Sequence, residues 1–103
     1  MTLAEVRAFA LSLPDVTEEA HFHRTSFRVG GKIIATADPA EPFLNVMVGE
    51  AIREPLLAAC TAGVEKLPWG RKIVGLRVDL DRASAELVQT LLREARSQRV
   101  PGS

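Results

Sequence analysis

The residues best suited to chemistry by type and spacing are the two histidines, His21 and His23, and the carboxylates just before them, Glu18 and Glu19. On a β-strand residues i and i+2 share a face, so both imidazoles and Glu19 would lie together. Such groups bind Zn²⁺ or transfer protons. Two histidines on a polar segment are more often surface residues, and the chain shows no other ligand set at a recognisable spacing. We therefore predict no metal site and no cofactor.

A nucleophile and a phosphate loop are the next candidates. Cys60 stands beside Leu57 and Ala59 in an apolar stretch with helical spacing, where a cysteine usually acts as a small buried hydrophobe. Gly30-Gly31-Lys32 lacks the spaced glycines and the Lys-Ser/Thr pair of a P-loop, so a hairpin turn is the better interpretation. We expect no catalytic residue and no enzymatic activity.

Charge becomes informative once it is divided along the chain. The 13 Lys+Arg and 13 Asp+Glu leave a net charge of 0, which excludes a polycation that binds phosphate through its overall charge. Four segments carry the local excess: −3 in residues 1–20 and 38–54, and +3 in residues 21–37 and 63–77. If folding joins the two basic segments, they form a local phosphate-contacting face. If acidic segments interleave them, they do not.

Helical patterns mark both ends of the chain. The N-terminal helix begins at a capping box formed by Thr2 and Glu5 and stops at Pro14. The C-terminal helix begins with Asp81 or Ser84 as its cap. Its apolar stripe consists of Leu87, Val88, Leu91, Leu92 and Ala95. A middle helix over residues 49–62 contains Pro55, which either lies in the first turn of a helix starting near residue 54 or kinks an earlier start.

A β-hairpin is predicted around Gly30-Gly31, because adjacent glycines supply the positive φ angles of a two-residue turn between residues 26–29 and 32–37. Strand alternation in that register separates two sets of side chains. Phe27, Val29 and Ile34 are predicted to face the core, and Arg24, Ser26 and Arg28 to project from an exposed face.

Further strands are predicted over residues 17–22, 43–48 and 74–80, which completes an α+β fold with an antiparallel sheet and helices packed on one face. Short turns favour antiparallel neighbours, and only the connection between Val48 and Lys72 is long enough for a parallel crossover. We predict one domain over residues 1–99 and a frayed tail at 100–103.

Compartment signals are few. No apolar stretch approaches the roughly 20 residues that span a bilayer, and the first residues lack the basic and apolar regions of a signal peptide. The single cysteine forms no internal disulfide, which suits a reducing compartment. We expect a cytoplasmic, monomeric protein with no membrane partner.

Several segments in order carry a family resemblance: residues 13–19 (LPDVTEE), residues 26–35 (SFRVGGKIIA), and Asn45-Val46. Pro68-Trp69-Gly70-Arg71 before the last strand and the closing amphipathic helix extend it over nearly the whole chain. Together they resemble the MmcQ/YjbR family of small bacterial proteins. The resemblance implies a double-wing α+β fold, similar in shape to frataxin-like sheets, with no assigned enzymatic activity. Members of the family are described as DNA-binding, largely by fold analogy.

Two functional hypotheses follow. In the first, the protein is a DNA-binding module whose hairpin acts as a wing, and Trp69 either stacks on a base or packs at a sheet edge. Its phosphate contacts would be Arg24, Arg28, Lys32, Arg71, Lys72 and Arg77. In the alternative, it is a small protein-interaction module that uses an exposed sheet face or edge strand.

Overall fold

Three helices and six strands follow one another in residues 1–99, the part of the chain that the computed structural model describes. The tail predicted at residues 100–103 lies outside it. The elements are α1 (Leu3–Ser12), β1 (Val16–His21), β2 (Arg24–Val29), β3 (Lys32–Ala37), β4 (Phe43–Val46), α2 (Glu50–Ala58), β5 (Val64–Trp69), β6 (Lys72–Asp79) and α3 (Ala85–Arg99). No helix in this range is long and apolar enough to cross a membrane.

The six strands form one sheet in the order β1-β2-β3-β4-β6-β5, and every neighbouring pair is antiparallel. The predicted α+β class with an antiparallel sheet is confirmed. The long connection between Val48 and Lys72 makes no parallel crossover. It contains α2 and β5, and β6 returns antiparallel beside β4.

The hairpin predicted at Gly30-Gly31 is confirmed. Both glycines have positive φ, 57° and 80°, and Val29 pairs with Lys32 across the two-residue turn. The register then shifts by one residue, which leaves Ile34 as a bulge in β3. The predicted core residues of this hairpin, Phe27, Val29 and Ile34, are all buried.

The core lies between the sheet and the helices. Its α3 residues are the predicted stripe members Val88, Leu91, Leu92 and Ala95, each fully buried, whereas Leu87 is only partly buried. Burial of one leucine side chain stabilises the fold by about 1.5–3 kcal/mol. The predicted capping box of Thr2 and Glu5 is confirmed. Of the two caps considered for the C-terminal helix, Ser84 is the observed one: its Oγ accepts a hydrogen bond from the Leu87 N–H at 3.1 Å.

Helix α2 begins at Glu50 and contains Pro55, so of the two open interpretations the earlier start is the observed one. The prediction that Cys60 is a buried helical residue is wrong. The helix ends at Ala58, and Cys60 is exposed with φ 50°. Hydrogen bonds from Cys60 N to Leu57 O and from Thr61 N to Leu56 O, both 3.1 Å, form a Schellman motif in which cysteine occupies the position usually held by glycine.

Strand β5 was not expected from the sequence, which indicated only one strand after α2. It lies at the sheet edge, contains Pro68, and pairs only with β6 through a turn at Gly70 and Arg71. Strands β3 and β6 run in the same direction because both are antiparallel to β4. Their preceding turns, at Gly30-Gly31 and at Gly70-Arg71, therefore lie at the same end of the sheet, which we call the turn end.

Candidate functional site

The sheet face opposite the helices, here called the open face, contains a cavity of about 350 Å³. Side chains from both edge strands, β1 and β5, line it, so the sheet curves around this face. We call this space the open-face cavity. Its lining residues are His21, Arg24, Ile33, Thr36, Asn45, Met47, Leu67, Pro68, Trp69 and Val74.

Basic side chains gather at the turn end. Lys32, Arg71 and Lys72 are exposed there, close to the two hairpin turns. Within residues 1–99 no carboxylate forms an ion pair with any of them. A cleft of about 460 Å³ lies beside them between Lys32, Trp69 and Arg99, over a floor of apolar side chains. The Trp69 side chain, 78% exposed, stands between this cleft and the open-face cavity.

The opposite end of the open face carries mixed charge. Arg24 and Arg77 line a cavity of about 320 Å³ together with Asp38 and Glu41. The Arg77 guanidinium lies 3.9 Å from the centre of the Phe43 ring, and its Nε is 3.7 Å from Glu65 Oε1. Carboxylates therefore interleave the predicted phosphate contacts at this end, whereas within residues 1–99 none pairs with Lys32, Arg71 or Lys72.

Arg28 lies near the turn end, where it pairs with Ile33 across the strands, and is engaged within the fold. Its Nε is 2.9 Å from Glu19 Oε2 and donates to Ser26 Oγ at 3.0 Å. Ser26 itself is fully buried and donates to the Glu19 carbonyl at 2.9 Å. Ser26 lies on the predicted face of the hairpin, but the prediction that it is exposed is wrong, because its cross-strand partners Glu19 and Thr36 flank it.

The two histidines do not form the site that their spacing suggested. Strand β1 ends at His21, so His23 lies in the following turn, where its Nε2 is 3.5 Å from Asp38 Oδ2. His21 instead lines the open-face cavity. In the described part of the chain, no three residues among the His, Cys, Asp and Glu side chains are grouped so that they could hold a metal ion.

Two polar residues at the centre of the open face were missed by sequence reasoning. Asn45 Nδ2 donates to Thr36 Oγ1 at 3.3 Å across the pairing of β3 with β4. The alternation of side chains in β4 could have identified Asn45. Leu44 and Val46 are fully buried, so Asn45 between them must face the other side of the sheet. Thr36 and Asn45 are polar groups in an otherwise largely apolar part of the open-face cavity.

Comparison with known proteins places this architecture in a family. The family model YjbR matches residues 11–98, from the end of α1 through almost all of α3. The search of curated proteins and the search of solved structures each returned no match. The matched range includes all six strands, both hairpin turns and the open face that they form. The chain therefore belongs to the YjbR family.

Proposed function

We propose that this protein binds DNA through the turn end of its sheet and performs no catalysis. The observation that carries the proposal is the convergence of Lys32, Arg71 and Lys72 beside the exposed Trp69, with no carboxylate paired to these cations within residues 1–99. The two hairpin turns would act as a pair of wings. The choice of DNA as the ligand follows the family resemblance described above.

The cations of the turn end suit contact with a phosphate backbone. Lysine and arginine neutralise phosphates and release condensed counterions, which produces binding that depends on salt more than on sequence. An exposed tryptophan adds a surface on which a base can stack. Arg28 and Arg77 contribute less to the proposed contact than the turn-end cations, because Glu19 and Glu65 already pair with them. Arg24 faces Asp38 and Glu41 at the mixed-charge end.

The experiment compares two double variants that each remove two positive charges. Lys32→Ala/Lys72→Ala alters the turn end, whereas the control Lys66→Ala/Arg82→Ala removes exposed cations elsewhere. We expect the turn-end variant to bind a fluorescent mixed-sequence duplex about tenfold more weakly or worse, and to lower the slope of log K against log salt by about 2. The control should stay within about twofold of the unmodified protein. Equal losses in the two variants, or binding that does not depend on salt, would contradict the proposal.

A protein-interaction module is the second candidate, and one observation favours it. Phe22 is 91% exposed at the β1–β2 turn, next to the edge of β1. Edge strands present backbone groups to which another chain can pair. In a pull-down, Phe22→Ser should abolish capture of such a partner and Lys32→Ala/Lys72→Ala should retain it. The reverse dependence would contradict an interaction at this edge.

A further inference from the structure

The open-face cavity is large enough for a small planar group and is built from two kinds of surface. Its volume of about 350 Å³ falls at the lower end of the range of small-molecule sites, about 300–1,000 Å³. Apolar side chains, among them Ile33, Met47 and Leu67, form much of its wall, and Trp69 stands at its margin. A ligand with a planar apolar surface and a polar edge would match this lining.

The polar pair inside the cavity has hydrogen-bonding capacity to spare. Asn45 donates one amide proton to Thr36 Oγ1 at 3.3 Å. An amide side chain has two N–H donors and a carbonyl oxygen, and a hydroxyl that accepts a hydrogen bond can still donate its own proton. Asn45 therefore keeps an N–H and an oxygen, and Thr36 keeps a hydroxyl proton, for a bound group. Adjacent donors and acceptors of this kind read the polar edge of a nucleobase.

The position of the cavity favours the same occupant. Among the described residues that line it none is acidic, and two, His21 and Arg24, are basic in type, although Arg24 also faces Asp38 and Glu41 in the mixed-charge cavity. The cavity shares Ile33, Trp69 and other lining residues with the cleft at the turn end, so the two spaces adjoin. A nucleotide whose phosphates contact Lys32 and Lys72 could therefore direct its base toward Asn45.

We propose that the open-face cavity receives one unpaired base of the bound nucleic acid, with Trp69 as the stacking surface and Asn45 and Thr36 as the groups that contact the base edge. The inference rests on the proposed function and specifies its ligand. A base held in a continuous duplex is stacked and paired, so it cannot enter without being extruded, which costs a few kcal/mol. The protein therefore prefers single-stranded or looped nucleic acid to a continuous duplex.

Trp69 makes the test direct, since the chain has one tryptophan and no tyrosine. Three probes of equal length are compared: a strand of thymidines, the same backbone with abasic sites, and a mixed-sequence duplex. We expect the thymidine strand to bind about tenfold more tightly than the abasic strand, as expected for stacking of one base, and to quench Trp69 fluorescence. We expect little quenching with the abasic strand.

Two substitutions test whether the polar pair in the cavity causes the preference for the thymidine strand over the abasic strand. Asn45→Leu and, separately, Thr36→Val should reduce the preference for the thymidine strand over the abasic strand severalfold and leave duplex affinity and its salt dependence unchanged. Urea unfolding checks that each variant folds, and having two variants keeps the test decisive if one does not. Ser97→Ala, on α3 and outside the cavity lining, is the control and should change none of these quantities.

The outcomes separate this inference from the function on which it rests. If abasic and thymidine strands bind equally, or if both cavity variants bind like the unmodified protein, the base site is wrong while binding through the turn end stands. If no probe binds, or if Lys32→Ala/Lys72→Ala binds every probe like the unmodified protein, the proposed function fails and the base site fails with it.

Discussion

The two faces of the sheet differ in what their side chains do. On the face covered by helices, strand residues such as Leu44 and Leu76 are fully buried in the core. On the open face, their neighbours Phe43, Asn45 and Arg77 are half-buried and line cavities. The same strands thus supply a core on one side and a candidate binding surface on the other. Substitutions on the two faces should therefore affect stability and binding separately.

The largest expected effect comes from making the same substitution on each face. Leu91→Ala removes a fully buried side chain of α3 and should lower the free energy of unfolding by about 2–5 kcal/mol. Leu67→Ala removes a half-buried side chain from the open face. Folding buries less of the apolar surface of Leu67 than of Leu91, so this substitution should cost only about 1 kcal/mol. Urea unfolding followed by Trp69 fluorescence measures both. Equal losses would show that the open face contributes to the core as strongly as the covered face does.

Gly75 of β6 lies against the backbone of β4. A Cβ atom at Gly75 would overlap the Val46 carbonyl oxygen and lie 3.1 Å from Met47 Cα, because β4 and β6 approach closely there. Gly75→Ala should therefore destabilise the protein by about 2 kcal/mol or more. Backbone atoms cannot move aside as a flexible side chain can.

Gly49→Ala is the matched control for Gly75→Ala. The nearest atoms to an added Cβ at Gly49 would be those of the side-chain amide of Gln98, at 3.6–3.9 Å, which is ordinary van der Waals contact. Gly49 is the N-cap of α2, where alanine is less favourable than glycine, so we expect a loss of at most about 1 kcal/mol. If the urea midpoints of the two variants shift equally, the close approach of β4 to β6 does not constrain position 75.

The elements predicted correctly from the sequence were those with a strong local signal. The capping box at Thr2 and the glycine pair at Gly30-Gly31 each act within a few residues, and the α3 stripe repeats over several turns. Strand β5 gave a weak signal because it is an edge strand: it contains Pro68, and four of its six residues are exposed. The end of α2 was placed too late because its C′ residue is Cys60, not glycine.

The candidate site depends on strand order, which no local pattern encodes. Lys32, Arg71 and Lys72 were identified individually as phosphate contacts, but their gathering at one end follows from the position of β6 beside β4. The pairing of Thr36 with Asn45 and the burial of Ser26 likewise depend on the register of neighbouring strands. Periodicity predicted which face a residue occupies, and only the assembled sheet shows what lies next to it.

The third prediction uses two ion pairs at the β1 edge, one on each face. On the covered face Glu18 accepts hydrogen bonds from Arg7 Nε at 2.9 and 3.0 Å and from Thr25 Oγ1 at 2.6 Å. The hydrogen bond from Arg7 holds the pKa of Glu18 below its ordinary value of 4.5, with a smaller contribution from Thr25 in the same direction and against the effect of burial. On the open face Glu19 pairs with Arg28 and is more exposed.

A carboxyl group whose pKa is lowered by folding stabilises the protein above its unfolded pKa, and this stability is lost as pH falls through the folded pKa. Glu18→Gln should therefore cost roughly 1 kcal/mol at neutral pH and flatten the decline in stability below pH 4.5. Glu19→Gln should cost about 0.5 kcal/mol or less, as exposed pairs do. Urea unfolding over a pH series measures both variants. A larger loss for Glu19→Gln would reverse the expected difference between the faces.

The smallest expected effect lies away from both faces, at the end of α2, and has the opposite sign. Cys60 adopts φ 50° at the C′ position of the Schellman motif, where a side chain is strained and glycine is not. Cys60→Gly should raise the free energy of unfolding by about 0.5–1 kcal/mol and leave nucleic-acid binding unchanged, since Cys60 lines neither the open-face cavity nor the turn-end cleft. Ala59→Gly, at a C-cap with φ −79°, is the control and should destabilise by a similar amount. If both glycine variants lower stability, the left-handed conformation at residue 60 carries no strain that glycine relieves.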